Sequence, residues 1–98
     1  MTFSVKITDY QKNPMLNICD SDLLDKEIVQ DQLKIQITRS YYGQKLVNEN
    51  EARTLLKTSS IINMVGKETI SLSLSLGIGS ENGVRVIDGV PFLIVFKM

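Results

Sequence analysis

The stretch from Ser59 to Gly77 constrains the fold of this chain most, because it holds the densest run of apolar side chains outside the termini. Its second half, residues 70–76, alternates Ile or Leu with Ser, and a period of two is typical of a half-buried strand. The same half also fits a helix, since Ile70, Leu74 and Ile78 fall on one helical stripe and Leu is a good helix former. The pattern alone slightly favours a strand and leaves both structures open.

The composition is that of one ordinary globular domain, and we expect a single domain over residues 1–98. The chain has 98 residues, and its 11 basic and 11 acidic residues give a formal net charge of zero. This balance argues against a protein that grips nucleic acid over a long basic surface, while a local basic patch remains compatible with it. A net charge of zero also favours self-association weakly.

The single cysteine and the absence of histidine restrict the disulfides, catalytic groups and metal sites that the chain can form. Cys19 has no partner for an intrachain disulfide, and a lone thiol fits a reducing cytoplasm better than secretion. Without His, the usual general base near neutral pH and the commonest transition-metal ligand are missing. The N-terminus is unlike a signal peptide, and no apolar run is long enough to cross a membrane. The sequence therefore predicts a cytoplasmic protein without a cofactor, a bound metal ion or a membrane partner.

Alternating apolar residues predict three strands in the first half of the chain. Residues 2–8 and 15–19 form two of them, joined as a hairpin by a loop of five or six residues around Tyr10–Pro14. Leu33–Thr38 forms the third, and Tyr41–Gln44 then makes a turn or bulge around its glycine.

Helices are predicted in the middle of the chain. Asn48 and Glu51 are three residues apart and match a capping box, so a helix begins there. A short second helix over residues 61–65 follows, capped by a preceding serine and ended by Gly66 in a left-handed conformation.

The C-terminus gives the clearest signal, that of a β-hairpin. Asp88-Gly89 separates Val84–Ile87 from Val90–Phe96, and two-residue turns of this kind require positive φ. Pro91 cannot donate to a sheet, so this end of the last strand is expected at a sheet edge. Residues 92–96 are apolar at every position, which predicts burial on both faces.

The order of elements predicts the fold class. Three strands, a helical middle and two strands are typical of an α+β domain. We expect a mostly antiparallel sheet of about five strands with two or three helices packed on one face.

Several short stretches, in this order and spacing, resemble one family over nearly the whole chain. They are Cys19-Asp20 with Leu23-Leu24 and Lys26, then Tyr41-Tyr42-Gly43, then I-I-N-M-V-G at residues 61–66, and Gly89-Val90-Pro91. The family is the archaeal domain of unknown function 424, and the resemblance implies a compact protein with no settled activity. It also implies a helix over residues 67–76. The family often has Gly in place of Asp25 and a His-containing run where this chain has Phe92-Leu93-Ile94, so no role of that His carries over.

The best local candidate for a binding surface is the segment over residues 39–45, which mixes basic and aromatic side chains. Bases stack on exposed aromatic rings, so this segment suits contact with RNA or with another protein. The competing interpretation, which carries more weight, is that one tyrosine packs in the core and the charged groups are merely exposed. The candidate residues are Arg39, Tyr41, Tyr42, Gln44 and Lys45.

A second candidate site lies where the second strand ends. Cys19 could act as a nucleophile if a neighbour lowered its pKa, but a free cysteine is more often a buried apolar residue. Asp20 fits a cap, for the single helical turn expected directly after it, better than a catalytic acid. Asp20, Asp22 and Asp25 form a small carboxylate cluster with Glu27 close behind, but their spacing matches no calcium-binding loop, and they are expected to form a solvated acidic loop.

The sequence favours a non-catalytic binding or accessory module, with RNA or the translation machinery as one expected partner and another protein as the other. The alternative is a small enzyme or ligand-binding protein with a cleft formed by Cys19, Asp20 and Tyr42. A third interpretation is a homo-oligomer that associates through the apolar last strand or an exposed sheet edge.

Overall fold

The computed structural model describes residues 1–97 and contains eight strands and three helices there. Short 3-10 turns at Ser21–Leu23 and Glu81–Gly83 complete it. The strands are β1 (Thr2–Tyr10), β2 (Asn13–Asp20), β3 (Glu27–Gln30), β4 (Leu33–Gln36), β5 (Lys45–Asn48), β6 (Ile61–Val65), β7 (Arg85–Ile87) and β8 (Val90–Phe96), and the helices are α1 (Arg39–Tyr42), α2 (Glu49–Thr58) and α3 (Lys67–Ser75).

The main sheet has six strands in the order β5-β1-β2-β6-β8-β7, and β3 and β4 form a separate two-stranded sheet. All neighbours in the main sheet are antiparallel except β2 and β6, which run parallel. The predicted α+β class with a mostly antiparallel sheet is confirmed. Among residues 1–97, no helix is both long and apolar enough to span a bilayer.

Different elements cover the two faces of the main sheet. Successive side chains of a strand point to opposite faces, so Ile18 and Cys19 belong to different cores. The first face carries the larger core, over which α2 and α3 pack with Ala52, Leu56 and Ile70. The second face carries a smaller core of Cys19, Ile28, Ile37 and Val65, with Leu23, Leu24, Ile35, Tyr42, Ile87, Val90 and Phe92 packed against it. Helices therefore lie on both faces, since Tyr42 belongs to α1.

The first hairpin is tighter than the sequence predicts. Its two strands pair without interruption up to Tyr10 and Asn13, which leaves Gln11 and Lys12 alone in the turn. Both turn residues have positive φ, 52° and 69°. The predicted loop of five or six residues is wrong, because neither Gln nor Lys marks a turn that needs positive φ.

Residues 61–65 form the strand β6, so the predicted short helix is wrong. This strand lies between β2 and β8 at the centre of the sheet. Four of its five residues are apolar, Asn63 being the exception, and periodicity cannot separate such a short run from a helix segment. Gly66 has the expected positive φ, 112°, but it precedes α3 and does not end a helix.

The stretch that alternates Ile or Leu with Ser from residue 70 onward is helical as far as Ser75. The family resemblance implies this helix, whereas the alternating pattern slightly favoured a strand. Two of the three serines in this stretch donate hydrogen bonds to nearby backbone carbonyls. Ser73 Oγ donates to the Ile78 carbonyl at 2.8 Å, and Ser75 Oγ donates to the Leu72 carbonyl at 2.6 Å. Such local bonds satisfy the hydroxyl groups, so the leucines decide the structure.

Both ends of α2 are capped. Asn48 Oδ1 accepts a hydrogen bond from the Glu51 amide at 2.9 Å, which confirms the predicted helix start. At the other end, Lys97 Nζ donates to the carbonyls of Leu56 and Lys57 at 2.6 and 2.9 Å. A cation at this end complements the helix dipole.

The strand predicted at Leu33–Thr38 exists as the shorter β4, but it lies outside the main sheet. It pairs with β3, a strand that sequence analysis missed. The turn predicted at Tyr41–Gln44 overlaps α1, a single helical turn. These elements together cover part of the second face of the main sheet.

The C-terminal hairpin is confirmed, with Asp88 and Gly89 at φ of 49° and 76°. The predicted edge position of Pro91 is wrong, because β8 lies between β6 and β7. Pro91 pairs with Val86, and its carbonyl accepts a hydrogen bond from the Gly66 amide at 2.9 Å.

The last strand is buried on one face along its second half. Leu93 packs in the larger core, whereas Ile94 and Phe96 are exposed. The predicted burial of residues 92–96 on both faces is wrong, because the elements on the second face cover the sheet only as far as Phe92.

Candidate functional site

The carboxyl ends of the two parallel strands meet where α3 begins. The carboxylate of Asp20, at the end of β2, is buried against the first turn of this helix. It accepts hydrogen bonds from the amides of Glu68 and Thr69 at 3.2 and 2.8 Å, and from Thr69 Oγ1 at 2.7 Å. Asp20 is thus a helix cap, as predicted, but it caps α3 rather than the turn that follows it in the chain.

A groove of about 530 Å³ opens beside this cap, and we call it the α3 groove. Three of the four stretches that carry the family resemblance contribute to it. Its charged side chains are mostly acidic, with Asp22 and Glu68 against Lys67. It is lined by Met1, Thr2, Asp20, Ser21, Asp22, Leu23, Gly66, Lys67, Glu68, Gly89, Val90 and Pro91.

Cys19 and Tyr42 meet in the smaller core, on the opposite face of the sheet from the Asp20 carboxylate. Cys19 is 0% exposed. Burial raises the pKa of its thiol to about 12, and the Asp20 and Asp22 charges add to the rise. Burial and the neighbouring Cys19 also raise the pKa of Tyr42 to about 12. Both groups are therefore protonated near neutral pH, and the thiol has no route to a substrate.

The segment over residues 39–45 is anchored to β1 by hydrogen bonds between side chains and backbone groups, while some of its own side chains are exposed to solvent. Ser4 Oγ donates to the Tyr42 carbonyl at 2.6 Å. Gln44 is tied to β1, since its Oε1 accepts from the Ile7 amide at 3.0 Å. Tyr41, by contrast, is 64% exposed.

Arg39 lies on α1 and forms an exposed ion pair with Asp25, with Nη2 and Oδ2 2.8 Å apart. Exposed pairs of this kind contribute little to stability, at most about 1 kcal/mol, and their partners exchange with other ions. The Arg39 guanidinium is therefore able to turn towards an anionic ligand.

A second groove, of about 540 Å³, lies between α1 and the start of β5, and we call it the α1 groove. Two cationic side chains line it, Arg39 and Lys45, and within the part of the chain that the structure describes no carboxylate does. The remaining lining is polar or small apart from two leucines. The residues are Thr2, Ser4, Ser21, Leu24, Arg39, Gly43, Gln44, Lys45 and Leu46.

The two grooves share a wall. Thr2 and Ser21 line both of them, and their hydroxyl oxygens are 2.7 Å apart. The positions lie far apart in the chain and become neighbours because β1 pairs with β2. Sequence reasoning missed both residues, since single hydroxyl groups carry no signal without the strand register.

The structure separates the candidate residues into three places. Arg39, Gln44 and Lys45 come together in the α1 groove, with Tyr41 exposed on the same short helix. Cys19 and Tyr42 meet in the core, as the competing interpretation expected for one tyrosine. Asp20 faces the α3 groove, so the cleft that would combine Cys19, Asp20 and Tyr42 does not form.

The acidic residues between positions 20 and 27 do not converge. Asp20 caps α3, Asp25 pairs with Arg39, and Glu27 accepts a hydrogen bond from Gln36 Nε2 at 3.3 Å. Within residues 1–97, no group of three or more Cys, Asp or Glu side chains is arranged to hold a metal ion.

Comparisons with known proteins identify relatives but no activity. A family model described as "Protein of unknown function (DUF424)" matches residues 8–98. A crystal structure of an uncharacterized conserved protein from Methanopyrus kandleri is similar, with a TM-score of 0.79 and 19% sequence identity over 100% of this chain and 95% of that chain. At this identity the likeness shows the fold alone. No curated protein matches the chain.

Proposed function

This chain belongs to DUF424, a family of proteins of unknown function, and we propose that it is a non-catalytic cytoplasmic binding module whose ligand is single-stranded RNA. One observation carries the proposal. Among residues 1–97, the lining of the α1 groove includes the cationic side chains of Arg39 and Lys45 and no carboxylate, in a chain whose formal net charge is zero. An anionic ligand is therefore favoured at this place on the surface.

The shape and lining of the α1 groove suit a nucleic-acid backbone. Phosphate groups are bound by Arg and Lys and by hydroxyl and amide side chains, which Ser21 and Gln44 supply here. With two cations, the groove matches a short stretch of backbone rather than a long duplex. The proposed role is that of an accessory protein in RNA metabolism or translation.

Tyr41 adds an exposed aromatic ring on the same short helix as Arg39, outside the lining of the α1 groove. It follows Arg39 by two residues. A base stacked on an exposed aromatic ring contributes about 1–3 kcal/mol, and such stacking requires an unpaired base. This combination favours single-stranded RNA over a helical duplex.

Fluorescence anisotropy with a labelled, mixed-sequence oligoribonucleotide of about 12 nucleotides tests the proposal. We expect wild-type protein to bind with a dissociation constant below about 100 µM, and binding should weaken as salt is raised. Lys45→Ala should lower the slope of log K against log salt by about 0.7, and Tyr41→Ala should weaken binding at least about fivefold.

Lys57→Ala is the matched control, because Lys57 is an exposed lysine at the end of α2, on the other face of the sheet. It should leave affinity and salt slope unchanged. Equal losses in Lys57→Ala and Lys45→Ala would show only non-specific attraction and would contradict the assignment of the α1 groove. Absence of binding by the wild type would overturn the proposal as a whole.

A second candidate function is small-ligand binding in the α3 groove. Open sheets bind ligands beyond the carboxyl ends of parallel strands, and this groove lies at the ends of β2 and β6. Its acidic lining favours a cationic or polar ligand. Thermal-shift screening separates the two candidates, because stabilisation by a metabolite that Glu68→Ala abolishes and Lys45→Ala preserves would support the α3 groove.

A further inference from the structure

One stretch of the main sheet presents an open strand edge. The short strand β7 pairs only with Val90–Phe92 of β8, since its first residue, Arg85, lies opposite Phe92. The second half of β8, residues 93–96, pairs with β6 on one side. Within residues 1–97, no strand pairs with the other side of this half.

The register fixes which backbone groups face outward. Pro91 and Lys97 bond towards β6, the first through its carbonyl and the second through its amide. The backbone groups of alternate residues point the same way, so those of Ile94 and Phe96 point to the open side. Each of the two residues offers one amide donor and one carbonyl acceptor there.

The side chains along this edge are apolar and exposed. Ile94 is 59% exposed and Phe96 is 67% exposed. On the same sheet face, Phe96 lies beside Ile61, which in turn lies beside Met15. The apolar surface therefore continues inward from the edge, where no element of residues 1–97 covers it.

The protective devices that normally block strand pairing are missing from this edge. Free edges usually carry a charge, a proline or a bulge. Lys45 at the β5 edge and Arg85 at the β7 edge are such charged residues. The lysine nearest to the open edge, Lys97, is turned away, because its ammonium group caps α2.

We propose that two copies of this chain pair through residues 93–96 of β8, antiparallel and related by a two-fold axis at Val95. In this register Ile94 lies opposite Phe96 of the second copy, and Phe96 lies opposite its Ile94. Each of these two pairs exchanges two backbone hydrogen bonds, so four bonds form. The pairing joins two six-stranded sheets into one continuous sheet.

A second copy fits this edge because the edge is complementary to itself. A two-fold interface needs the same surface on both partners, and residues 94 and 96 satisfy this by presenting identical donors and acceptors at equal distances from the axis. The exposed Ile94 and Phe96 then cover each other as cross-strand neighbours. A net charge of zero removes long-range repulsion between the copies. This proposal is independent of the proposed RNA binding, which involves the α1 groove beside β5, at the opposite edge of the main sheet.

Sedimentation equilibrium of the full chain over a range of concentrations tests the dimer. We expect a mass of twice the 11.0 kDa chain at high concentration for the wild type. Ile94→Lys should raise the dissociation constant at least about tenfold, because symmetry removes two buried isoleucines with one substitution. Leu33→Lys is the control, since Leu33 is an exposed leucine on β4, in the separate two-stranded sheet, and it should dimerise like the wild type. A wild type that stays monomeric, or a dimer unaffected by Ile94→Lys, would overturn the proposal.

A cysteine at the axis tests the register without relying on a disruptive change. Residues 95 of the two copies face each other as a non-hydrogen-bonded pair, with Cα atoms about 4.5 Å apart, a spacing that accepts a disulfide. Val95→Cys should therefore form a covalent dimer in oxidised glutathione. Wild type should not, because Cys19 is buried. A Val95→Cys protein with native circular dichroism that stays uncrosslinked would contradict this register.

Discussion

At the scale of single residues, Cys19 and Asp20 show how strand geometry assigns roles. They are adjacent in the chain, but their side chains lie on opposite faces of the sheet. Cys19 is sealed in the smaller core, whereas the Asp20 carboxylate binds the first turn of α3. The sequence indicated both outcomes, a buried thiol and a capping carboxylate, from residue preferences. It could not indicate which helix Asp20 caps, because that contact joins residues 49 positions apart.

Because the Cys19 thiol is buried, the free energy of unfolding changes with pH in the alkaline range. The pKa of Cys19 is about 12 in the folded chain and near its ordinary value of 9.0 when unfolded. The unfolded state thus loses this proton first, so the free energy of unfolding falls as pH rises from about 9 towards about 12, by up to about 1.4 kcal/mol per pH unit. The pKa of Tyr42, raised from 10.0 to about 12, adds a fall of the same sign that begins later.

Cys19→Ala isolates the contribution of the thiol. The variant should be less stable at neutral pH, because a small cavity replaces the sulfur, but it should lose less stability between pH 8 and pH 10. Urea unfolding at several pH values measures both effects. Tyr42→Phe is the comparison, with a reduced fall only above about pH 10. Parallel pH profiles for wild type and Cys19→Ala would show that the thiol ionises as freely in the folded chain as in the unfolded one.

At the scale of elements, α3 lines the α3 groove at its first turn and packs on the larger core, and both of its ends are flanked by glycine. Gly66 precedes the helix at φ 112°, and Gly77 follows it at φ 74°. Any side chain at position 66 would collide with the Asp20 carboxyl group, whereas the space beside Gly77 is open. The two positions therefore share a backbone requirement and differ in their surroundings.

This difference predicts unequal effects of the same substitution. Gly77→Ala should lower the free energy of unfolding by about 1 kcal/mol, the cost of positive φ for a residue with a side chain. Gly66→Ala should lower it by more than about 2 kcal/mol, since the Asp20 cap is displaced as well. Urea unfolding compares the two variants directly. Equal losses at both positions would mean that the capping carboxylate moves aside without cost.

Elements were predictable where local signals decided them. The Asn48 cap predicted the start of α2, the Asp88-Gly89 pair predicted the C-terminal hairpin, and alternation predicted β1. Each of these signals is a short-range preference of the backbone or of a side chain. Residues 61–65 were assigned to the wrong structure because four of the five residues are apolar and do not alternate, and periodicity cannot tell such a short run from a helix segment. The α1 groove was predictable only as a set of residues near one another in sequence, since its wall at Thr2 and Ser21 depends on the register of β1 and β2.

At the scale of the whole molecule, the parallel pair at the centre of the sheet is the structural core. Residues Leu16–Asp20 of β2 are buried in succession, and β6 beside it is covered on both faces near its end. The edge strands β5 and β7 and the separate β3–β4 hairpin are mostly exposed. Stability should therefore decrease from the centre of the sheet outward.

Hydrogen exchange measures this gradient. The slowest amides should lie in β2 and β6, because their exchange requires global unfolding, and those of β3 and β4 should exchange faster through local opening. Residue-resolved exchange by nuclear magnetic resonance, at a dilution that excludes self-association, gives both rates in one experiment. Equal protection in the β3–β4 hairpin would show that it unfolds together with the main sheet.

Thr2 and Ser21 form the partition between the two grooves, and Met1 stands at the rim of one of them. A purification tag or fluorescent label fused ahead of Met1 would begin at the rim of the α3 groove. One fused behind the last strand would begin beside the open edge at Phe96. Ligand screening and association measurements on this protein therefore require cleavage of the fusion, because a tag at either end occludes a surface under test.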